Sequence, residues 1–265
     1  RVSACAVADG VGGWAEHSDV DPSYYSRTLI ASMLTYASLP VDQAVTSRVE
    51  CAEAQHFHRP LQVLSRAFTA VPHQVVRGGK PTWAGSSTVC AASVTGQTLQ
   101  VCNVGDSGCL VLRLSASRSG VGWKPLLRTE EQTLGFNFPV QLGSASDSNW
   151  ADAELYEAVV HAGDIVVLYT DGVSDNLSAD RIIDVLNAQE QLGLAVEDAM
   201  SKKPWAPFVS ESYLRAVSLS IAATAFAAGE SDDVSPFQEA AERHNLSYMG
   251  GKPDDITVVV GVVAP

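Results

Sequence analysis

Apolar residues recur along the chain in two rhythms, and each predicts a different kind of element. Val2–Ala8 is a short run of small apolar residues that stops at Asp9-Gly10-Val11-Gly12-Gly13, which predicts a buried strand ending in a glycine-rich turn. Asp21 and Pro22 offer an N-cap and a first-turn proline, with Tyr25, Leu29 and Met33 on one face of a helix reaching Tyr36. A second helix is predicted after Pro60, where Leu61, Leu64, Phe68 and Val71 fall at helical spacing. The period then shortens. Ser86–Val94, Leu99–Val104, Gly108–Leu114, Tyr156–Val160 and Asp164–Tyr169 all read as strands, with Thr95-Gly96-Gln97 as a hairpin break. Helical spacing returns at Ala179–Gln189 and Ser212–Ala228. A further helix is signalled by Ser235 as N-cap, Pro236 in the first turn and Gln238 in the capping-box position. Ile256–Val263 is a last apolar strand. Ser115–Gly122 and Gly193–Pro207 read as surface excursions. Consecutive strands with short turns favour antiparallel sheets, and the helical blocks must cover sheet faces, so the pattern predicts one α+β domain.

Composition narrows the class. The chain has 265 residues, 46% hydrophobic and 18% charged, enough for a sizeable core. No apolar run approaches the roughly 18 residues that cross a bilayer, so no membrane span is expected. The formal charge of −13, from 17 basic and 30 acidic residues, argues against a nucleic-acid partner, which calls for clustered Lys and Arg. Cys5, Cys51, Cys90, Cys102 and Cys109 form no CxxC pair and no even framework, and they read as mostly buried thiols in a reducing compartment. The chain starts at Arg1 without a Met, so an upstream segment with any targeting signal is expected to precede it.

The candidate chemistry is acidic. Four segments place an Asp where an apolar strand meets a turn: Val7-Ala8-Asp9-Gly10, Val104-Gly105-Asp106-Ser107, Tyr169-Thr170-Asp171-Gly172 and Lys252-Pro253-Asp254-Asp255-Ile256. Any one of them is an ordinary turn. Together, strand-end carboxylates make a hard oxygen cage suited to Mg²⁺ or Mn²⁺, and a bound cation relieves their mutual repulsion. The glycines after Asp9 and Asp171 are expected to take positive φ and to let a backbone carbonyl approach the cation. Such a site suits hydrolysis of phosphate monoesters, whose slow uncatalysed rate calls for strong electrostatic help.

These segments resemble the protein phosphatase 2C family, the metal-dependent serine/threonine phosphatases. The resemblance is carried by VADGVGGW (Val7–Trp14), GSST (Gly85–Thr88), NVGDS (Asn103–Ser107), YTDGVSDN (Tyr169–Asn176) and GGKPDDITV (Gly250–Val258), which run in the family's order. With FNFPVQL (Phe136–Leu142), they look most like the branch with mitochondrial members, which implies a mitochondrial or cytoplasmic protein. The resemblance implies a four-layer αββα sandwich in which 1–265 form a single catalytic domain without its N-terminal strand. A variable flap would lie at Thr129–Leu142 within 115–150, and 193–207 would be a surface insertion. It also implies hydrolysis of phosphoserine and phosphothreonine in protein substrates by a metal-activated water, and a monomer. The family uses two Mg²⁺ or Mn²⁺ ions, with a weaker third in some members. By motif, Asp9 would bridge both metals, Gly10 would offer its carbonyl, and Asp171 and Asp254 would ligate the other ion. Asp106 and Asp175, with Asp171, match the third site. Asp255 stands where many relatives have Asn.

Two departures matter. Val11 occupies the place of a His proposed as general acid in many members, so that role is not carried over. The family's phosphate-binding Arg lies on a strand before the first motif, and Arg1 is too close to Asp9 to supply it. The alternative function is a catalytically inactive phosphatase fold serving as a binding or scaffold module, whose mark would be loss of a core ligand; Asp9, Asp171 and Asp254 are all present. Gly105-Asp106-Ser107-Gly108 also resembles a serine-protease nucleophile motif, but no His and Asp stand in supporting contexts. His17, His56, His58, His73, His161 and His244 are scattered and read as structural. Trp14 reads as packing against the first helix rather than flanking a substrate groove.

Overall fold

A computed structural model describes residues 3–16, 20–39, 58–117, 120–144, 146–189 and 209–264. The chain divides into two compact units, Arg1–Gly105 with Pro139–Glu157, and Asp106–Phe138 with Ala158–Pro265.

The first unit is built on β1 (Ser3–Val7), β5 (Val89–Thr95), β6 (Thr98–Val104) and β12 (Glu154–Val159), adjacent in that order. β1 and β6 each pair antiparallel with β5. Gly96 takes positive φ (59°) in the β5–β6 hairpin, as Thr95-Gly96-Gln97 predicts. Helices α1 (Pro22–Ala37) and α2 (Arg59–Ala70) cover this sheet. Asp21 caps α1, its carboxylate accepting from the Ser23 backbone N–H at 3.0 Å, and Tyr25, Leu29 and Met33 form the buried face, as the sequence predicts. They pack with Leu64 and Ala67 of α2 and with Val89, Ala91, Cys102 and Val104 of the sheet. Two features were not legible. A hairpin of β2 (Gln74–Arg77) and β3 (Lys80–Trp83) turns on Gly78 and Gly79, both at positive φ. The strand expected over Ser86–Val94 breaks at Thr88, because β4 (Ser86–Ser87) leaves to pair with β11 (Leu142–Gly143).

The second unit carries the antiparallel sheet β14 (Val258–Val262), β13 (Ile165–Tyr169), β7 (Gly108–Ser117) and β8 (Gly120–Arg128), in that order. Residues 115–122, expected as a surface excursion, instead continue the β7–β8 ladder, apart from 118–119, which lie outside the described residues. β8 escapes a sequence reading because Pro125 interrupts it. As an edge strand it tolerates a residue with no N–H, and the ladder shifts register between Val111 and Leu112, which faces Pro125. Helices α4 (Ala179–Asn187) and α5 (Glu211–Gly229) bury Ile182, Leu186, Tyr213, Val217 and Ile221 against Leu110, Leu112, Ile165 and Val167. Trp123, buried on β8, donates its indole N–H to the Tyr213 hydroxyl at 2.7 Å, and that hydroxyl donates to the Leu186 carbonyl. Each unit therefore sets helices on an antiparallel sheet, as the α+β expectation requires. The insertion expected over 193–207 lies outside the described residues.

Candidate metal centre

In the first unit, the segment after β1 is clamped by the GSST stretch. The Thr88 N–H donates to the Asp9 carbonyl at 2.9 Å, Gly10 bridges to Ser87, and the Val11 N–H donates to the Ser86 carbonyl. A side chain on Gly10 would sit 2.2 Å from the Pro22 carbonyl oxygen, so glycine is required by close approach and not by the positive φ expected. Trp14 is half-buried and donates its indole N–H to Ser86 Oγ at 2.6 Å, which in turn donates to Gln141 Oε1. That hydrogen bond ties Trp14, in the turn that follows the first motif, to the GSST stretch.

In the second unit, β13 runs directly into the single helical turn α3 (Asp171–Ser174). That turn places Asp171 and Asp175 four residues apart on one face. The Gly250–Val258 segment is fastened beside them. Asn176 donates through Nδ2 to the Gly172 and Lys252 carbonyls at 3.0 and 2.8 Å, and its Oδ1 accepts from the Lys252 N–H at 2.9 Å. Thr170 Oγ1 accepts from the Thr257 N–H at 3.0 Å. Gly172 also lacks the positive φ expected of it; a Cβ there would lie 2.4 Å from the Asp255 carbonyl oxygen.

The consequence is convergence. Carboxylate oxygens of Asp171, Asp175 and Asp254 lie within 4.8 Å of one another. Asp254 Oδ1 accepts from the Asp255 N–H at 2.8 Å, leaving Oδ2 for the centre. There sits the Lys252 ammonium, 3.0 Å from Asp171, 2.6 Å from Asp175 and 2.9 Å from Asp254. Burial works against its charge, but Asp175 and Asp171 outweigh it and drive the lysine pKa upward. Burial, then the charges of Asp171 and Asp175, push Asp106 up to about 8. Burial is the largest cause for Asp175 too, which rises to about 7 although Lys252 pulls the other way. Glu131, in the expected flap, is raised chiefly by burial, with Asp171 adding to it.

These residues fit a divalent cation. The donors are hard oxygens, they face one point, and a positive group already occupies the position where their repulsion is relieved.

Residues 1–211 match the family described as protein phosphatase 2C. The chain belongs to that family. Its relatives carry the same family name. It is 30% identical over 263 residues to the probable protein phosphatase 2C 55 of Arabidopsis thaliana, covering 98% of this chain and 46% of the relative. It is 32% identical to protein phosphatase 2C homolog 7, mitochondrial, of Saccharomyces cerevisiae, covering 96% and 68%. The chain spans about half the length of two Arabidopsis relatives, 46% and 51%. Among solved structures, the photosystem II phosphatase PBCP matches with a TM-score of 0.68 at 25% identity, over 99% of this chain and 90% of that one. The catalytic domain of the serine/threonine phosphatase PstP, solved with two manganese ions, matches in fold with a TM-score of 0.50 at 17% identity, over 100% and 88%. The mixed fold of antiparallel sheets and helices is thus the protein phosphatase 2C fold.

Of the residues singled out in the sequence, Asp171, Asp175 and Asp254 come together, and the charges of Asp171 and Asp175 act on Asp106. Asp9 and Gly10 belong to the first unit. Lys252 and Glu131 carried no expectation. Lys252 lies inside a recognised motif, but a lysine in an acidic loop reads as a solvated charge. Ser107 is fully buried, which removes the serine-protease reading. His58, His73 and His244 serve structure: an N-cap accepting from the Leu61 N–H, a ring packed edge-on against Phe68 and Tyr25, and a C-cap. His17 and His56 lie outside the described residues. Cys5, Cys90, Cys102 and Cys109 are thiols outside any disulfide; burial pushes Cys102 up to about 12. Cys51 lies outside the described residues. No helix among the described residues is long and apolar enough to cross a membrane.

Proposed function

We propose that the protein hydrolyses phosphoserine and phosphothreonine in protein substrates, using Mg²⁺ or Mn²⁺ held by its strand-end aspartates. The observation that carries this reading is the convergence of Asp171, Asp175 and Asp254 on one point. Asp171 and Asp254 are proposed as ligands of one ion, with Asp175 and Asp106 completing a weaker site beside it. Asp9 and Gly10 would also hold metal, through the carboxylate and the backbone carbonyl, a reading supported by the VADGVGGW motif and by the backbone clamp on Asp9. Two ions are proposed, by likeness to PstP with its two manganese ions. When bound, the metal supplies Lewis-acid neutralisation of phosphoryl charge and activation of water.

The chain's own residues do the rest. Asn176 and Thr170 fix the two aspartate-bearing segments against each other, so the carboxylates are positioned before any ligand arrives. Asp106 and Asp175, raised to about 8 and 7, are groups able to hold or release a proton near neutral pH. No His stands at Val11 to serve as general acid. A mitochondrial location is proposed, by likeness to the yeast relative.

The test is Mn²⁺-dependent hydrolysis of para-nitrophenyl phosphate and of a phosphothreonine peptide by the full-length protein. Asp171→Asn should lose at least about a hundredfold in kcat, with its far-ultraviolet circular dichroism in EDTA unchanged. Wild-type turnover in that variant would overturn the ligand assignment. No turnover by the folded wild type with Mn²⁺ would favour the inactive binding module.

A further inference from the structure

Lys252 has an environment that a solvated surface lysine does not. Its side chain is only 16% exposed, and its Nζ donates to Asp171 Oδ2 at 3.0 Å, Asp175 Oδ2 at 2.6 Å and Asn137 Oδ1 at 3.1 Å. Asp254 Oδ2 lies 2.9 Å away, so four oxygens share the three protons of the ammonium. The face of Phe237 lies 5.0 Å from Nζ. Phe237 also packs on Phe136, which with Asn137 forms the tip between the paired strands β9 (Thr133–Gly135) and β10 (Phe138–Pro139), with ring centroids 4.9 Å apart.

We propose that Lys252 is a built-in counter-cation: its ammonium gathers Asp171, Asp175 and Asp254 and holds the Phe136-Asn137 tip when no divalent ion is bound, and it competes with that ion for the same oxygens. The inference rests on the metal reading proposed above. Three arguments carry it. The contacts converge on the Oδ2 atoms of all three aspartates, the oxygens a small cation at that point would use. Three carboxylates with one ammonium leave two negative charges if all ionise, and a divalent cation in the ammonium's place leaves one, so charge favours the exchange. The Lys252 backbone is fixed on both sides of its peptide by Asn176, while its four-carbon stem is flexible, so the head group is able to leave without moving the segment. A purely structural lysine would hold the ligands in place for the metal, and its loss would weaken metal binding. A competing lysine gives the opposite sign.

The experiment is a Mn²⁺ titration by calorimetry on the full-length wild type, Lys252→Met and Lys252→Gln, with melting temperatures in EDTA and in Mn²⁺. Both variants should bind Mn²⁺ roughly tenfold tighter, equivalent to about 1.4 kcal/mol. They should melt lower than wild type in EDTA and gain more from Mn²⁺. Amide exchange over residues 130–138 should be faster in the variants than in wild type in EDTA. If Lys252→Met does not fold without metal, Lys252→Gln keeps amide donors for Asn137 and carries the same titration. Variants binding Mn²⁺ equally or more weakly, beside a wild type that binds, would overturn the counter-cation alone. A folded wild type that binds no Mn²⁺ would overturn the metal reading and this inference with it.

Discussion

Asn176→Ala is the sharpest probe of how the site is assembled. The residue is 5% exposed, and its amide makes three hydrogen bonds that tie α3 to the Gly250–Val258 segment. Alanine would leave the Lys252 N–H and the Gly172 and Lys252 carbonyls without this partner. A buried polar group stripped of its partner costs about 1–3 kcal/mol, so even the low end for three groups gives about 3 kcal/mol. For a chain of this size that corresponds to a fall in melting temperature of roughly 6–12 °C. Asn176→Asp should be no better at neutral pH, because a carboxylate would face two carbonyl oxygens where the amide donated. Thermal unfolding in EDTA, followed by circular dichroism, measures the loss. Calorimetric Mn²⁺ titration should show weaker binding in both variants, since Asp254 rides on the segment that Asn176 fastens. A drop below about 2 °C with unchanged Mn²⁺ affinity would refute the view that this amide holds the centre together.

Two further outcomes follow from the same geometry. Asp175 and Asp106 are raised to about 7 and 8 in the folded protein, against about 3.9 for an unfolded Asp. The folded state therefore binds more protons across that window, and metal-free stability should fall as pH rises from about 4 to 8, by up to about 1.4 kcal/mol per unit for each group. Melting in EDTA across that range checks it, with Asp175→Asn as reference; a variant slope as steep as wild type would refute the assignment. Gly172→Ala should cost about 1–3 kcal/mol, because its Cβ would press on the Asp255 carbonyl at 2.4 Å, whereas Gly261→Ala meets nothing within 4 Å and should be neutral by thermal melting.

What the sequence revealed was set by how local each signal is. The start of α1 is legible because Asp21 and Pro22 act on their own backbone neighbours, and the N-cap of α6 (Pro236–Arg243) at Ser235 is legible for the same reason. The reciprocal half of that capping box does not form. The Gln238 side chain instead donates to Glu242 and accepts from the Gly250 N–H, a partner 12 residues away that no local rule supplies. β8 was hidden by Pro125, which only an edge position excuses. At the site, residue types and strand-end placement were readable, but the glycines were needed for a different reason. Gly10 and Gly172 make room for carbonyls of Pro22 and Asp255, contacts that exist only once distant segments meet. Glu131 was silent because the charges that raise it include Asp171, 40 positions along the chain by number.

The same reasoning explains why Lys252 and the raised aspartates belong together. A fold that gathers carboxylates before a metal arrives must relieve their repulsion by some other means, and the second unit uses two. Protons are retained on Asp106 and Asp175 at pH values where an exposed Asp has lost them, and the Lys252 ammonium offsets part of the charge that remains. Neither device is costless: protonation removes the donor form that a metal needs, and the ammonium sits on the same oxygens. Preorganisation and affinity therefore oppose each other at this site. Asn176 supplies rigidity without charge, through hydrogen bonds to backbone alone, and so adds preorganisation without entering that competition.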